Sequence, residues 1–557
     1  MKPQSIALMF ALAALGRPLA PAQAGVKLSG VFGDHMVLQR DAPVAVWGWA
    51  DPGEQVVVEF YDQQKTAEAD PQGAWLVRLD PLPASKEARV LHVQSAAQNP
   101  REGIAIRDVL VGDVWLCAGQ SNMEWSLARS DGGPQATERA DNPLLRLCTI
   151  PHNSRTTPRD DVAVKWNVSS PGAAKNFSAV AWWFGAKLQR TLDAPIGVVN
   201  DSFGGTTIQA WMPLETLRRG PWPQDKHTDF DLAKADYDER LEKIRPEVQK
   251  YLHARAEAIK EQRPTPDFPR GWPGDFRGPG TLWNGMIAPL VKLRIRGVVW
   301  HQGESNAYPG AANHYGQLLE AMIADWRTGF GMPEAPVIVV QLASHRKPQV
   351  DPDEPSGVAL VQEAQANVAR RTPAAALVVT RDLGEEEMNY KRKEPVAERV
   401  LRAALVLAYG RPQPDAIGPT FESATFDGGK ARIRFANAGG GLVAKGGPLA
   451  GFVLAGEDRR FVFATGKIEG DTVVVSNPKT PRPVAVRYAW ADFPKANLFG
   501  ARGLPAAPFR SDDWPIHAVR SPASSPGAKP DGKPLAADGK ASTSGQGDSN
   551  KAPVARP

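Results

Sequence analysis

Three short polar clusters in this chain carry the residue types that acyl transfer needs. The first is Gly119-Gln120-Ser121-Asn122-Met123, which directly follows a buried-looking apolar run. A serine at the C-terminal end of a strand, with a glycine before the turn, is presented at the edge of a sheet. The helix that begins beside it can turn free N–H groups towards an oxyanion. Alone the pattern is ordinary, because a serine after a strand more often caps the next helix. The second cluster is Asp201-Ser-Phe-Gly204-Gly205-Thr-Thr, after the run Gly197-Val-Val-Asn200. Paired glycines there can offer backbone donors to the same oxyanion, although a plain strand-to-helix turn uses glycine too. The third is His301-Gln302-Gly303-Glu304-Ser305-Asn306, after Gly297-Val-Val-Trp300, and it brings an imidazole, an amide and a carboxylate together. Three such clusters at three strand ends are hard to attribute to packing alone.

The elements that must position them read as a parallel α/β sheet. Val109 to Cys117 is apolar almost throughout, as suits a strand covered on both faces. Similar runs recur at Pro195–Asn200, Arg296–Trp300, Ala335–Leu342 and Ala374–Thr380. Segments of helical period lie between them, among them Ala179–Leu192, Tyr315–Phe330 and Val396–Tyr409. Alternating strand and helix over this length predicts a parallel sheet flanked by helices, with ligands at the C-terminal strand ends.

The flanks differ. Residues 25–106 alternate in short β-like segments broken by Asp51-Pro-Gly and Asp70-Pro-Gln-Gly turns, which predicts an N-terminal β module. Residues 107–410 hold the α/β core, interrupted at about 217–280 by a charged helical segment and a Pro/Gly/Trp-rich loop. That insertion reads equally as a wall over the site or as a solvated surface helix. Residues 411–520 return to strands. The stretch 521–557 is rich in Ser, Pro, Gly, Ala, Lys and Asp and has no aromatic residue, so it is expected to be disordered. At the other end, Lys2, an apolar stretch from Ser5 to Leu15 and Ala22-Gln-Ala24 predict a signal peptide over 1–24, and thus an exported chain, periplasmic or secreted.

Composition narrows the partners. A net charge of +5 over 557 residues, without a basic stripe, gives no reason to invoke nucleic acid. No later run is long and apolar enough to insert in a membrane. Two cysteines without ligand spacing, Cys117 and Cys148, give no metal motif and read as buried free thiols. The sequence leaves the oligomeric state open.

Taken together, Val114-Trp-Leu-Cys-Ala-Gly-Gln-Ser-Asn-Met, Ser202-Phe-Gly-Gly-Thr, Leu282-Trp-Asn-Gly-Met-Ile-Ala-Pro-Leu and Trp300-His-Gln-Gly-Glu-Ser-Asn resemble the sialate O-acetylesterase family of SGNH hydrolases. His35-Met-Val-Leu-Gln-Arg and Pro508-Phe-Arg-Ser-Asp-Asp-Trp514 extend the resemblance over about residues 28–515. It implies an SGNH-type parallel sheet with N- and C-terminal β-rich accessory modules. It also implies a serine esterase that removes O-acetyl groups from a carbohydrate through an acetyl-enzyme. Acetylated sialic acid, or a plant cell-wall glycan such as xylan or xyloglucan, would be the substrate, with no metal or organic cofactor. Ser121 would be the nucleophile, and the oxyanion would lie against the Ser121 N–H, the Gly205 N–H and the Gln302 side chain. Glu304 would be the acidic member, with Gln120, Asn122, His301 and Asn306 completing the substrate-binding set.

The sequence departs from this family at the base. The pattern has a His-Pro about eight residues after an Asp-x-Gly and just ahead of a helix. Here Asp382-Leu-Gly leads to Asn389-Tyr390, and no histidine lies between His345 and His517. Three readings stay open. His345 or His301 could serve as base; Glu304, Asp382 or one of Glu385 to Glu387 could do so instead; or the chain is a decayed esterase that binds carbohydrate. The retained Ser121, Gln302 and Glu304 favour a substitute base. A lipase-like esterase would need a long apolar groove that the sequence does not show.

Overall fold

A 16-residue strand, Ile104–Gly119 (β1), forms the spine of the molecule. The structure is a computed structural model and describes residues 25–97, 103–267, 269, 276–308, 310–413, 416–438 and 440–516. The expected signal peptide over 1–24 and the tail over 521–557 lie outside the described residues.

Six further strands, numbered along the chain, complete the central sheet: β2 (Asn142–Thr149), β3 (Trp166–Ser169), β4 (Ile196–Ser202), β5 (Gly297–His301), β6 (Val337–Val340) and β7 (Ala375–Val378). Their spatial order is 3-2-4-1-5-6-7, parallel throughout except for the antiparallel edge strand β3. The chain leaves β1 to one side, for β2 to β4, and then crosses to the other for β5 to β7. The crevice where ligands bind in such sheets lies at that reversal, over the C-terminal end of β1.

Helices cover both faces, which explains the continuous apolar runs. Trp115 and Cys117 of β1 pack in one core with Val198 and Val299. That side is covered by α1 (Ala179–Leu192) and α5 (Glu394–Tyr409). Val114, Leu116 and Ala118 face the opposite core beneath α3 (Tyr315–Gly329) and α4 (Gly357–Arg371). Both cysteines are buried free thiols. The intervening α2 (Phe230–Lys260) is mostly exposed and carries i,i+4 ion pairs such as Lys243–Glu239, as a solvated helix does. It is tied to the later part of the same insertion, since Phe230 and Tyr237 pack against Phe276 with ring centroids 5.4 and 5.2 Å apart.

The N-terminal β segments run straight into this sheet. The first half of β1 pairs antiparallel with Ser85–Ser95 and parallel with Val37–Gln39. Residue 107, where the pattern of the sequence changes, is thus an interior position of one strand. The C-terminal segment builds its own antiparallel seven-stranded sheet from Thr420 to Arg510. Arg381, just past β7, ties that sheet to the core: its guanidinium donates to Ala506 O at 2.7 Å and to the Tyr488 hydroxyl at 2.8 Å. Among the described residues, no helix is long and apolar enough to cross a membrane.

Candidate active site

Register brings the three polar clusters to one level. Gly119 of β1 pairs with Ser202 of β4 on one side and with His301 of β5 on the other. Gly119 has φ +147°, and a Cβ there would lie 2.1 Å from the His301 carbonyl oxygen, so only glycine fits the turn. Ser121 then opens a four-residue helix, Ser121–Glu124, and is half-buried. Gly204 lies directly beside it: a Cβ at Gly204 would come within 3.3 Å of Ser121 Cβ. Gly205 is exposed at φ +70°. Among the described residues neither the Ser121 N–H nor the Gly205 N–H has a partner in the protein. An oxyanion site needs free donors of this kind close to the nucleophile, and Gly204, the neighbour of Gly205, is the residue that packs on Ser121.

The residues around Ser121 form a buried scaffold. Gln120 is buried and accepts from the Ser305 N–H at 3.2 Å. Gln302 departs from its expected role. Its Nε2 donates to Thr206 O at 3.0 Å and to Asn306 Oδ1 at 2.8 Å, while its Oε1 accepts from the Tyr315 hydroxyl. Both amide protons are spent, so none is free for an oxyanion. Asn306 is equally committed, accepting from the Ile208 N–H and donating to Gln209. These amides hold the loops after β4 and β5 together rather than face a substrate.

A second network lies under the serine turn. Asn122 donates to Glu304 Oε1 and, at 3.0 Å, to Met388 O; its own Oδ1 accepts from Lys393 Nζ. All three side chains are buried, and the second oxygen of Glu304 has no partner. Glu304 therefore holds an amide, not the imidazole expected of it. Burial drives the Lys393 ammonium down to about 7, against the opposing pull of Glu304 and Glu385. Lys393 also sits 3.7 Å from the centroid of the Tyr390 ring. Tyr390 in turn meets His301 Nε2 at 3.3 Å, and burial together with the Lys393 charge keeps His301 well below the ordinary imidazole range.

A third group lines the mouth. Glu124 Oε2 accepts from the Gly204 N–H at 2.6 Å, and Glu124 Oε1 lies 3.2 Å from His152 Nε2. Burial alone would push the Glu124 carboxyl up. Its bonds from His152 and Gly204, and the charges of His152 and Arg277, outweigh that and hold it below its usual value. His152, Ser154, Arg155 and Phe276 border a cleft of about 300 Å³ beside this pair.

The family described as carbohydrate esterase, sialic acid-specific acetylesterase, matches residues 111–257 and 276–397. A solved carbohydrate acetylesterase from Xanthomonas citri is 34% identical, with a TM-score of 0.74, and covers 88% of this chain and 100% of its own. The chain belongs to this carbohydrate esterase family. Rat sialate O-acetylesterase is 31% identical over 350 residues, 59% of this chain and 61% of that protein. Its Pongo abelii counterpart is 27% identical over 531 residues, 87% of this chain and 92% of that protein. The chain thus spans about three fifths of the rat and mouse relatives, 61% and 57%, and nearly all of the Pongo abelii one. Proteins of this esterase family are carboxylic ester hydrolases by class.

Within this esterase family member, the candidate bases are scattered. Asp382 is paired with Arg399 through two bonds of 2.7 and 2.8 Å, and although burial opposes it, that partner holds the carboxyl below its ordinary value. It is a structural ion pair, which removes it from the expected catalytic set. Glu385, Glu386 and Glu387 lie in the same loop, the last two exposed. His345 is buried rather than in an open loop; its Nδ1 lies 3.0 Å from Ala343 O and its Nε2 has no partner. Asn389, next to the Met388 carbonyl that Asn122 grips, has a buried Oδ1 without a partner. Among the described residues no imidazole hydrogen-bonds Ser121. The sequence reading missed Glu124, His152, Arg277 and Lys393. Glu124 follows Ser121 by three residues, so one helical turn was the available signal; the others come from distant loops and gave none.

Proposed function

We propose that this chain is a serine O-acetylesterase of SGNH type acting on acetylated carbohydrate. One observation carries the reading: Ser121 stands half-buried at the switch point of the sheet beside Gly204, and among the described residues its own N–H and that of Gly205 have no partner. In the proposed reaction the Ser121 hydroxyl oxygen attacks the acetyl carbonyl carbon. The carbonyl oxygen takes up negative charge against the two N–H donors, and the sugar hydroxyl leaves with a proton. Water then releases acetate from the acetyl-enzyme. Acetylated sialic acid and acetylated xylan or xyloglucan are the substrates proposed, met outside the cytoplasm by an exported chain.

His345 is the base we assign. With Nδ1–H donated to Ala343 O, the Nε2 lone pair is left available, the tautomer a general base needs. Nε2 does not bond Ser121 in this state, and catalytic hydrogen bonds are often completed only when substrate is bound.

A second reading, a carbohydrate-binding remnant, is favoured by Asn389 standing where the family imidazole belongs. Acetate release from acetylated xyloglucan, xylan and O-acetylated sialic acid separates the two. Wild type should turn over at least one of them, and Ser121→Ala should lose on the order of 10⁶ in kcat. No release by wild type, with sugar binding retained, would establish the remnant instead.

A further inference from the structure

The loop that supplies the Gly205 donor is gripped by side chains from three separate parts of the chain. Glu124, at the end of the helix that Ser121 begins, accepts from the Gly204 N–H at 2.6 Å. Arg277, near the C-terminal end of the insertion, donates Nη1 to the Gly204 carbonyl oxygen at 2.7 Å. His152, from the loop after β2, lies flat on Phe203, with ring centroids 3.8 Å apart and planes 4° apart. Its Nε2 is 3.1 Å from Ser202 O and 3.2 Å from Glu124 Oε1. Arg277 also covers the Phe203 ring, with its guanidinium carbon 4.5 Å from the centroid.

Peptide planarity gives these contacts a consequence. The Gly204 carbonyl and the Gly205 N–H belong to one rigid plane and point in opposite directions. A guanidinium that fixes the carbonyl therefore fixes the direction of the N–H. Glu124 fixes the preceding plane in the same way, through the Gly204 N–H. The plane between Gly204 and Gly205 would otherwise flip easily, because neither residue has a side chain and both tolerate either hand of φ, whereas the preceding plane is also held by the Thr206 hydroxyl, which donates to Phe203 O at 2.7 Å.

We propose that Glu124, His152 and Arg277 form a clamp that aims the Gly205 N–H at the oxyanion, with Glu124 and Arg277 as positioning residues for the esterase reaction. This rests on the serine-esterase reading above. The clamp also couples the reaction to the insertion: Arg277 adjoins Phe276, which packs against Phe230 and Tyr237 of α2.

The test compares wild type, Ser121→Ala, Arg277→Ala, Arg277→Lys, Glu124→Ala and Glu124→Gln on one acetylated sugar substrate, with thermal melting of each. Losing a well-aimed oxyanion donor costs about 10²–10³ in kcat. Arg277→Ala and Glu124→Ala should lose a sizeable part of that, at least tenfold in kcat, with KM within about threefold and melting temperature unchanged. Inhibition by phenylboronic acid, whose adduct on Ser121 puts a tetrahedral oxygen in the same place, should weaken in step with kcat. Glu124→Gln keeps an oxygen for the Gly204 N–H and should recover most of the Glu124→Ala loss. Arg277→Lys should recover part of its own. Alanine variants within threefold of wild type in kcat, or a loss confined to KM or explained by a lower melting temperature, would overturn the clamp while Ser121→Ala stays inactive. Full turnover by Ser121→Ala would overturn the clamp and the serine-esterase reading together.

Discussion

Lys393→Met tests the electrostatics beneath Ser121 most directly. Lys393 is fully buried, and burial lowers its ammonium from an ordinary value of 10.5 to about 7. The unfolded chain then binds one more proton than the native chain between those two values, so stability contributed by this site rises as pH climbs from about 7 towards 10.5. At roughly 1.36 kcal/mol per unit, the full span of about 3.5 units is worth about 5 kcal/mol. Between pH 7.5 and 9.5 the wild type should gain about 2–3 kcal/mol relative to the Met variant, most of the remainder lying outside that window. Titrating groups away from Lys393 are common to both proteins and cancel in the difference, and His301, held well below its ordinary range, stays neutral throughout this window.

A constant offset rides on this slope. Methionine leaves Asn122 Oδ1 without the donor that Lys393 supplies, at a cost of about 1–3 kcal/mol that does not vary with pH. The measurement is urea unfolding of both proteins by tryptophan fluorescence at half-unit steps from pH 7.5 to 9.5. A difference that stays flat within about 0.5 kcal/mol would mean that Lys393 titrates near its ordinary value. It would then be charged and ion-paired with Glu304 through this range, and the account of the network would be wrong.

Three further outcomes are expected. Asn389→His should raise kcat at least tenfold and add an acidic limb to the pH–rate profile near the ordinary imidazole value of about 6.5, read by steady-state acetate release from pH 5 to 8. Arg399→Ala strands the largely buried Asp382 carboxylate and should cost about 3–5 kcal/mol, seen as a lowered urea midpoint at pH 7. Burial drives both the Cys117 and Cys148 thiols far above their ordinary range, so a disulfide reagent should label neither in native protein and both in urea.

The alternating pattern of the core was legible because a strand buried on both faces must be apolar at every position. Hence Val109–Cys117, Arg296–Trp300 and Ala335–Leu342 announced β1, β5 and β6, and Ala179–Leu192 announced α1 to the residue. The adjacency of the Ser121 and Gly204-Gly205 turns could be anticipated for a different reason: glycine and serine at a strand end are local features, and the pairing of Gly119 with Ser202 sets those two strand ends level. Side-chain partners were not legible. Gln302, Asn306 and Glu304 have the right types for chemistry, yet both amides are spent on neighbouring loops and one oxygen of Glu304 is taken by Asn122, 182 residues away in sequence. Asp382 was misread for the same reason, since only the fold reveals Arg399 one turn into the following helix. The end of the β module at 106 was a change in exposure along one continuous strand, where partial exposure over residues 104–108 gives way to full burial from Val109.

The missing imidazole is best understood through what surrounds its place. Asn389 sits between a Met388 carbonyl held by Asn122 and a Tyr390 ring that covers Lys393. That loop is thus fastened to the serine turn by buried polar contacts even though it carries no histidine. A scaffold under no demand for catalysis would have little reason to keep a buried lysine at about 7 next to a buried carboxylate, because apolar residues of similar volume are commonly as stable or more so. The retained network, the unpartnered N–H groups of Ser121 and Gly205 and the unpartnered Nε2 of His345 are what the proposed esterase with a moved proton acceptor draws on. His345→Ala then decides between the two accounts. A loss of kcat comparable to that of Ser121→Ala locates the base after β6, whereas an unchanged rate in an active enzyme returns the search to the loop of Asn389.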